Sequence, residues 1–185
     1  SYAPLLLRGA GVTLLLALSG TLVGFLIGLG VGVVRSIPCR REDGAVKYVL
    51  LKIVRGILSI YLEVFRSTPM IAQAMVIFYG VAQLFKITMP NLLAGFLIVS
   101  INTGAYLSEI VRGGIQSVDP GQREAAQAIG MTYGQTMLHI VLPQAIRNIL
   151  PALGNEFVVN IKDTSVLNVI SVSELFFVSK TAAGT

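Results

Sequence analysis

The chain reads as an all-α, polytopic membrane protein, and three features of its sequence predict that. Charged residues make up 12% and hydrophobic residues 54% of its 185 positions. A soluble domain carries about 25% charged residues, so this surface has to face something apolar. Residues 9–34, 67–85 and 87–108 carry no charge, and runs of about 20 residues match a hydrocarbon core about 30 Å thick. Backbone in lipid must satisfy its own hydrogen bonds, which makes each run a helix. Seven of the 14 Lys and Arg residues fall from Arg35 to Arg66, Lys86 alone lies between the second and third runs, and Arg112, Arg123 and Arg147 follow the third. Positive charge favours cytoplasmic links. The amino terminus is therefore expected outside, and segments 35–66 and 109–147 in the cytoplasm. The net charge of +5 reports topology, not nucleic-acid binding.

Residues 1–185 form one transmembrane domain whose first span is 9–34. No basic leader or cleavage site precedes it, so this helix is expected to stay in the membrane. Gly20, Gly24, Gly28 and Gly32 recur every four residues, which clears one helix face for close approach by another. A seam within the subunit and a seam between subunits both fit that stripe. Gly28, Gly30 and Gly32 are no nucleotide loop, because they sit inside an apolar helix and not after a strand. Cys39 is the lone cysteine, so no internal disulfide forms, and it falls on the reducing side.

Residues 45–64 place Lys47, Lys52, Arg55 and Ser59 on one arc, opposite Val, Leu, Ile and Tyr. That amphipathicity suits a helix lying in the cytoplasmic interface, with a tilted span as the competing arrangement. The second span, 67–85, follows Arg66, with Pro69 tolerated in its first helical turn. The third span is 88–108. The fourth, 146–170, holds Asn155, Glu156, Asn160, Lys162 and Asp163 among apolar residues. Ionisable groups are costly in a bilayer unless they face a cavity or the protein interior, so this stripe is expected to be functional. Glu156, Asn160 and Asp163 follow i, i+4, i+7, and Asn102, Tyr106 and Glu109 repeat that spacing on the third span. Glu156, Asn160, Lys162, Asp163, Asn102 and Tyr106 are the expected lining of a substrate pathway. Interhelical hydrogen bonds from Asn102 and Tyr106, and an ion pair made by Lys162 or Asp163, are the structural alternatives.

Residues 117–143 are expected to form a cytoplasmic loop of two short helices. Asp119 is a good N-cap, Pro120 suits the first helical position, and Gln122 stands where a capping box wants it. The helix runs to about Ile129, and Gly130 supplies a left-handed stop. Thr132 then caps a second helix with Gln135 three residues on, and Pro143 bounds it. The first helix offers an exposed Ala125-Ala126 pair, small enough to enter a partner's cleft. A DNA-reading helix-turn-helix is excluded, because the second helix offers only Gln135 and His139 to bases or phosphates. His139 has no second ligand nearby, so no metal site is expected.

Glu124-Ala125-Ala126, then Gly130, Ile140 and Leu142-Pro143 resemble, at every defined position, the EAA loop of binding-protein-dependent ABC importer permeases. Arg66-Ser67-Thr68-Pro69, Gly104-Ala105-Tyr106, Ser108-Glu109, Arg112-Gly113-Gly114, Gly121-Gln122, Pro143-Gln144-Ala145 and Lys162-Asp163-Thr164-Ser165 look like the polar amino acid branch. The resemblance covers nearly the whole chain. It implies the ABC importer permease fold, with four spans here and a fifth expected after Ala182–Gly184. It also implies a transport subunit rather than an enzyme, multi-pass in the bacterial cytoplasmic membrane. The implied partners are an ABC ATPase dimer docked through Glu124, Ala125, Ala126 and Gly130, a second permease subunit, identical or homologous, and an extracytoplasmic amino-acid-binding protein. ATP and Mg²⁺ belong to the ATPase. This chain, with no Gly-x-x-x-x-Gly-Lys-Ser/Thr, is expected to bind no cofactor itself.

For an amino-acid zwitterion, Glu156 or Asp163 suits the ammonium, and Lys162 or backbone amides at a helix break suit the carboxylate. A secondary transporter or channel also places ionisable groups in a span, and a scaffold needs none. Neither requires two capped cytoplasmic helices at this spacing.

Overall fold

The computed structural model describes residues 2–38 and 44–184, which are helical almost throughout, with no strand among the described residues. Cys39, expected on the cytoplasmic side, lies outside the described residues. Two helices are long and apolar enough to cross a membrane by themselves: α1 (Ala3–Ser36) and α4 (Asn91–Gln116).

These two lie against each other along the glycine stripe. A Cβ added at Gly24 would come within 2.7 Å of Thr103 Cβ, at Gly28 within 2.9 Å of the Leu107–Ser108 backbone, and at Gly32 within 2.7 Å of Val111 Cγ1. Gly104 makes the reciprocal approach, 2.7 Å from Ile27 Cγ2. The stripe therefore seats α4 within the same subunit. Gly30, on the other side of α1, would meet nothing within 4 Å.

α2 (Ala45–Ser67) and α3 (Met70–Phe85) are separated only by Thr68 and Pro69. At 16 residues, α3 covers about 24 Å, short of the hydrocarbon core. α2 runs on to Ser67, three residues past the expected end at 64. Tyr61 donates its hydroxyl to the Ile101 carbonyl at 2.5 Å, and Leu62 is buried, so the last turns of α2 pack on α4. Extended backbone at Thr68 and Pro69 separates α2 from α3, and the missing Pro69 N–H removes a donor that a continuous helix would use.

α5 (Pro120–Ala128) and α6 (Tyr133–Thr136) follow α4. Pro143 was expected to close the second short helix. Instead, α6 continues through a π-turn, Met137–Val141, into α7 (Leu142–Asp163) and a 3-10 turn, Thr164–Ile170. The Leu142 N–H bonds to the Met137 carbonyl, five residues back. That wider turn places Pro143 at the start of α7, where its missing N–H is tolerated. After a 60° bend comes α8 (Leu175–Ala183). Glu174, 1% exposed, accepts the Phe176 and Phe177 amides at 2.7 Å, and the Leu175 amide bonds to Thr13 of α1.

Filling the glycine seam should separate α1 from α4. We expect Gly24→Val to lower stability by about 1–3 kcal/mol and Gly30→Ala to leave it unchanged, read as thermal unfolding of the purified protein in detergent.

Candidate functional site

The chemistry collects at two places, a turn on the side assigned to the cytoplasm and a cavity halfway through the bundle. The turn begins at α5. Asp119 accepts the Gly121 amide at 2.7 Å. Gln122 does not complete the expected capping box, and only its backbone amide engages Asp119. The helix closes with the Met131 amide on the Ala126 carbonyl at 3.0 Å and the Gly130 amide on the Gln127 carbonyl at 2.9 Å. This reversal needs a left-handed residue, and Gly130 adopts φ +83°. Thr132 and Gln135 then form the expected capping box.

Glu124 and Ala125 are exposed, but Ala126 is 2% exposed. The expected exposed alanine pair is thus corrected to a single alanine, because Ala126 lies on the face α5 turns toward its own subunit. Sequence reasoning overlooked Ile129, which is 78% exposed at the tip. With Gly130, Met131, Gln135 and His139 it lines an open hollow of about 420 Å³.

This turn is tied to the first span. The Tyr133 hydroxyl donates to the Ser36 carbonyl at 3.0 Å. Arg55 of α2 donates to the neighbouring Arg35 and Ile37 carbonyls. Arg35 itself pairs with Glu109, which also holds Arg112 at 2.8 Å. Glu109 is therefore spoken for by two arginines at the cytoplasmic end of α4 and does not extend the Asn102–Tyr106 stripe into the cavity.

The cavity, about 430 Å³, is lined by Thr68, Pro69, Met70 and Ile71 at the α2–α3 break, by Asn102 and Tyr106 of α4, and by Glu156, Val159, Asp163 and Val166. Four of the six expected pathway residues, Asn102, Tyr106, Glu156 and Asp163, are brought together here. Asn160 bonds to Thr103 at 3.0 Å and to Thr21 at 2.8 Å, which holds this part of α7 level with the middle of α4.

Asn160 and Lys162 are not part of the lining. Asn160, 3% exposed, faces the α1–α4 seam, since 40° of helical rotation separates it from Glu156. Lys162 is exposed and lies on another arc. Asn102 lines the cavity, yet its amide is already engaged, donating to Gln73 Oε1 at 2.9 Å. Gln73, buried and unremarked in the sequence, donates in turn to the Phe65 and Thr68 carbonyls and to Thr68 Oγ1. This clamp satisfies backbone groups that the break would otherwise leave unpaired. Arg66, read from the sequence as the start of a branch motif and the edge of an apolar run, lies 5.9 Å from the centroid of the Tyr106 ring.

Known proteins resemble this chain in sequence and fold. A family model described as binding-protein-dependent transport system inner membrane component matches residues 44–182. The chain is 36% identical over 172 residues to the arginine transport system permease protein ArtQ of Bacillus subtilis, covering 93% of this chain and 73% of that protein. It is also 36% identical over 173 residues to the glutamine transport system permease protein GlnP of Escherichia coli, covering 93% and 74%. A crystal structure of an amino acid ABC transporter with histidines superposes with a TM-score of 0.80 at 36% identity, over 100% of this chain and 81% of the other. The methionine ABC transporter MetNI gives 0.78 at 22% identity, over 96% and 79%, a likeness of fold.

If Asn160 joins helices and does not contact cargo, Asn160→Ala should cost about 1–3 kcal/mol by stranding Thr103 and Thr21. Thermal unfolding should register that loss while substrate affinity holds. The opposite result, weaker affinity at unchanged stability, returns Asn160 to the pathway.

Proposed function

This chain belongs to the binding-protein-dependent transport system inner membrane component family, as a multi-pass permease of the amino acid ABC importer type, and from that premise we propose how it works. It is the membrane-spanning transport subunit of an ATP-driven importer in the bacterial cytoplasmic membrane. An extracytoplasmic binding protein delivers an amino acid to it. A separate ABC ATPase dimer carries ATP and Mg²⁺ and hydrolyses the nucleotide. A second permease subunit, identical or homologous, completes the translocation path, and this chain binds no cofactor of its own.

One observation carries the reading: the turn at Gly130 and the acids of the cavity are ends of one continuous helical run. From Tyr133 through the π-turn to Asp163 the backbone stays helical, a rod of about 45 Å at 1.5 Å per residue. An ATPase gripping Glu124, Ala125 and Gly130 can therefore move Glu156 and Asp163 directly. Ala126, turned inward, acts by seating α5 on its own subunit. The hydrogen bond from Tyr133 to Ser36 passes the same displacement to the joined α1 and α4. Alternating access then requires contacts that differ between two states, supplied by closure of the ATPase pair.

In the cavity Glu156 and Asp163 receive the ammonium end of the amino acid. Lys162 is exposed and outside the lining, and two carboxyl groups in the wall make a cationic amino acid suit the cavity. The alternative role for Lys162 or Asp163, an ion pair that only fixes geometry, has no counterpart among the described residues. The opening turn of α3 places Met70 and Ile71 on the same wall.

Gly130 meets nothing within 4 Å where a Cβ would stand, but its φ of +83° is hostile to a branched residue. Gly130→Val should therefore distort the turn without clashing, at about 1–3 kcal/mol of local strain. In reconstituted vesicles ATP hydrolysis should continue while amino-acid uptake falls, and full uptake would remove the turn from the coupling route. A second pair of variants addresses the cavity. Glu156→Gln and Asp163→Asn should each depress uptake and raise the substrate concentration needed for half-maximal rate. Normal transport by both would place the path elsewhere.

A further inference from the structure

A second cavity, of about 400 Å³, lies where α1 begins. The other end of α1, Ser36, is bonded to Tyr133 behind the Gly130 turn, so this cavity is at the outer end of the bundle. α1 contributes Arg8 and Val12 to its wall, α4 contributes Asn91 and Leu92, and α8 contributes Phe177 and Thr181. No Asp or Glu is among the lining residues. Nearby Glu174 is buried, and its two carboxylate oxygens accept the Phe176 and Phe177 amides. Arg8 is exposed and makes no ion pair among the described residues. α4 starts at the same wall without a side-chain cap, so the positive end of its dipole adds to the Arg8 charge.

The length of α1 sets the depth of this wall. The unbroken helix from Arg8 to Arg35 is about 40 Å long at 1.5 Å per residue. A bilayer measures about 40–45 Å with its headgroups. With Arg35 at the cytoplasmic surface, Arg8 stands in the outer headgroup layer. Val12 lies one turn closer to the hydrocarbon. A lone cation at headgroup level, beside apolar walls and away from any free acid, has the complement of a lipid's charge and shape.

We propose that this cavity binds an anionic phospholipid of the outer leaflet, with Arg8 on its phosphate and an acyl chain against Val12, Leu92 and Phe177. The lipid reinforces a seam where the Leu175 amide bonds to Thr13 at 3.1 Å and Asn91 bonds to the Ser171 carbonyl at 3.2 Å. It acts as a wedge that fastens α8 to α1 and α4. The assignment is independent of the cargo and of the mid-bundle cavity.

The test uses the complete permease–ATPase complex, delipidated in detergent and titrated with phosphatidylglycerol or phosphatidylcholine of identical acyl chains. Native mass spectrometry counts the bound lipid, and the difference between unaltered and variant complexes isolates this site. Arg8→Gln should weaken phosphatidylglycerol binding there about fivefold, the value of one basic side chain at a charged membrane surface. Phosphatidylcholine binding should stay within about twofold. Arg8→Lys should keep most of the preference, and Lys86→Gln, which removes an exposed cation outside the cavity, should leave it whole. Thr181→Trp, at an exposed position on the wall, should fill the cavity and reduce the binding of both lipids. Thermal melts without lipid check folding, and Thr181→Leu replaces Thr181→Trp if the larger side chain unfolds the complex.

Unchanged phosphatidylglycerol binding in Arg8→Gln overturns the proposal, and so does an equal loss of both lipids in that variant. Full binding of phosphatidylglycerol after the cavity is filled also overturns it, since Arg8 would then act as a surface charge only. Displacement of the lipid by millimolar glycerol phosphate would assign the cavity to a soluble phosphate ester and not to the membrane.

Discussion

The close approach of α1 and α4 through their glycines is the constraint on which the rest of this molecule depends. In lipid no hydrophobic force draws one apolar helix to another, so association relies on van der Waals fit and interhelical hydrogen bonds. Gly20, Gly24, Gly28 and Gly32 meet Val99, Thr103, Leu107 and Val111 in the same four-residue rhythm. That fixes both the rotation and the height of α4. Rotation decides that Asn102 and Tyr106 face the cavity while Thr103 faces the seam. Height decides that Glu109 reaches Arg35 at the cytoplasmic end. α7 is then located against this pair, by Asn160 at mid-depth and by Ile149, whose side chain lies where a Cβ on Gly114 would stand, 2.6 Å away.

Polar residues within the bundle divide into two populations, and the division separates scaffold from site. Asn160, Thr103, Thr21, Gln73, Asn102 and Glu174 satisfy one another or nearby backbone groups. They lose little by burial because their partners are built in. Glu156 and Asp163 make no such hydrogen bond and no ion pair among the described residues, and both line one cavity. Ionisable groups within an apolar bundle need such a space or a partner.

Much of the fold was legible because its signals are local. The gap between Arg8 and Arg35 fixed α1, the four-residue glycine repeat identified the packing face, and Thr132 with Gln135 announced a cap that formed as expected. Gly130 was readable because its left-handed conformation is a property of one residue. What the sequence hid depends on distant partners. Nothing near Ala126 says that it turns inward while Ala125 does not. Pro143 has the standing of a helix stop, and only the π-turn before it, set by packing around Met137 and Val141, lets the rod continue. The i, i+4, i+7 spacing grouped Glu156, Asn160 and Asp163 correctly on one side of α7. A 40° rotation nonetheless suffices to send Asn160 to the seam.

The cytoplasmic end of α1 has a consequence for biogenesis. Its terminal carbonyls are completed by Arg55 and by Tyr133, and Tyr133 lies 97 residues downstream of Ser36. At ribosomal rates of about 5–20 residues per second, that partner emerges roughly 5–20 s after α1. Throughout that interval water must stand in for the missing hydroxyl, so the nascent helix has to keep its tail in the aqueous compartment. A chain that let this tail slip into lipid would hold an unsatisfied carbonyl there. The contact comes too late to set the orientation of the first segment and can only lock an arrangement already reached.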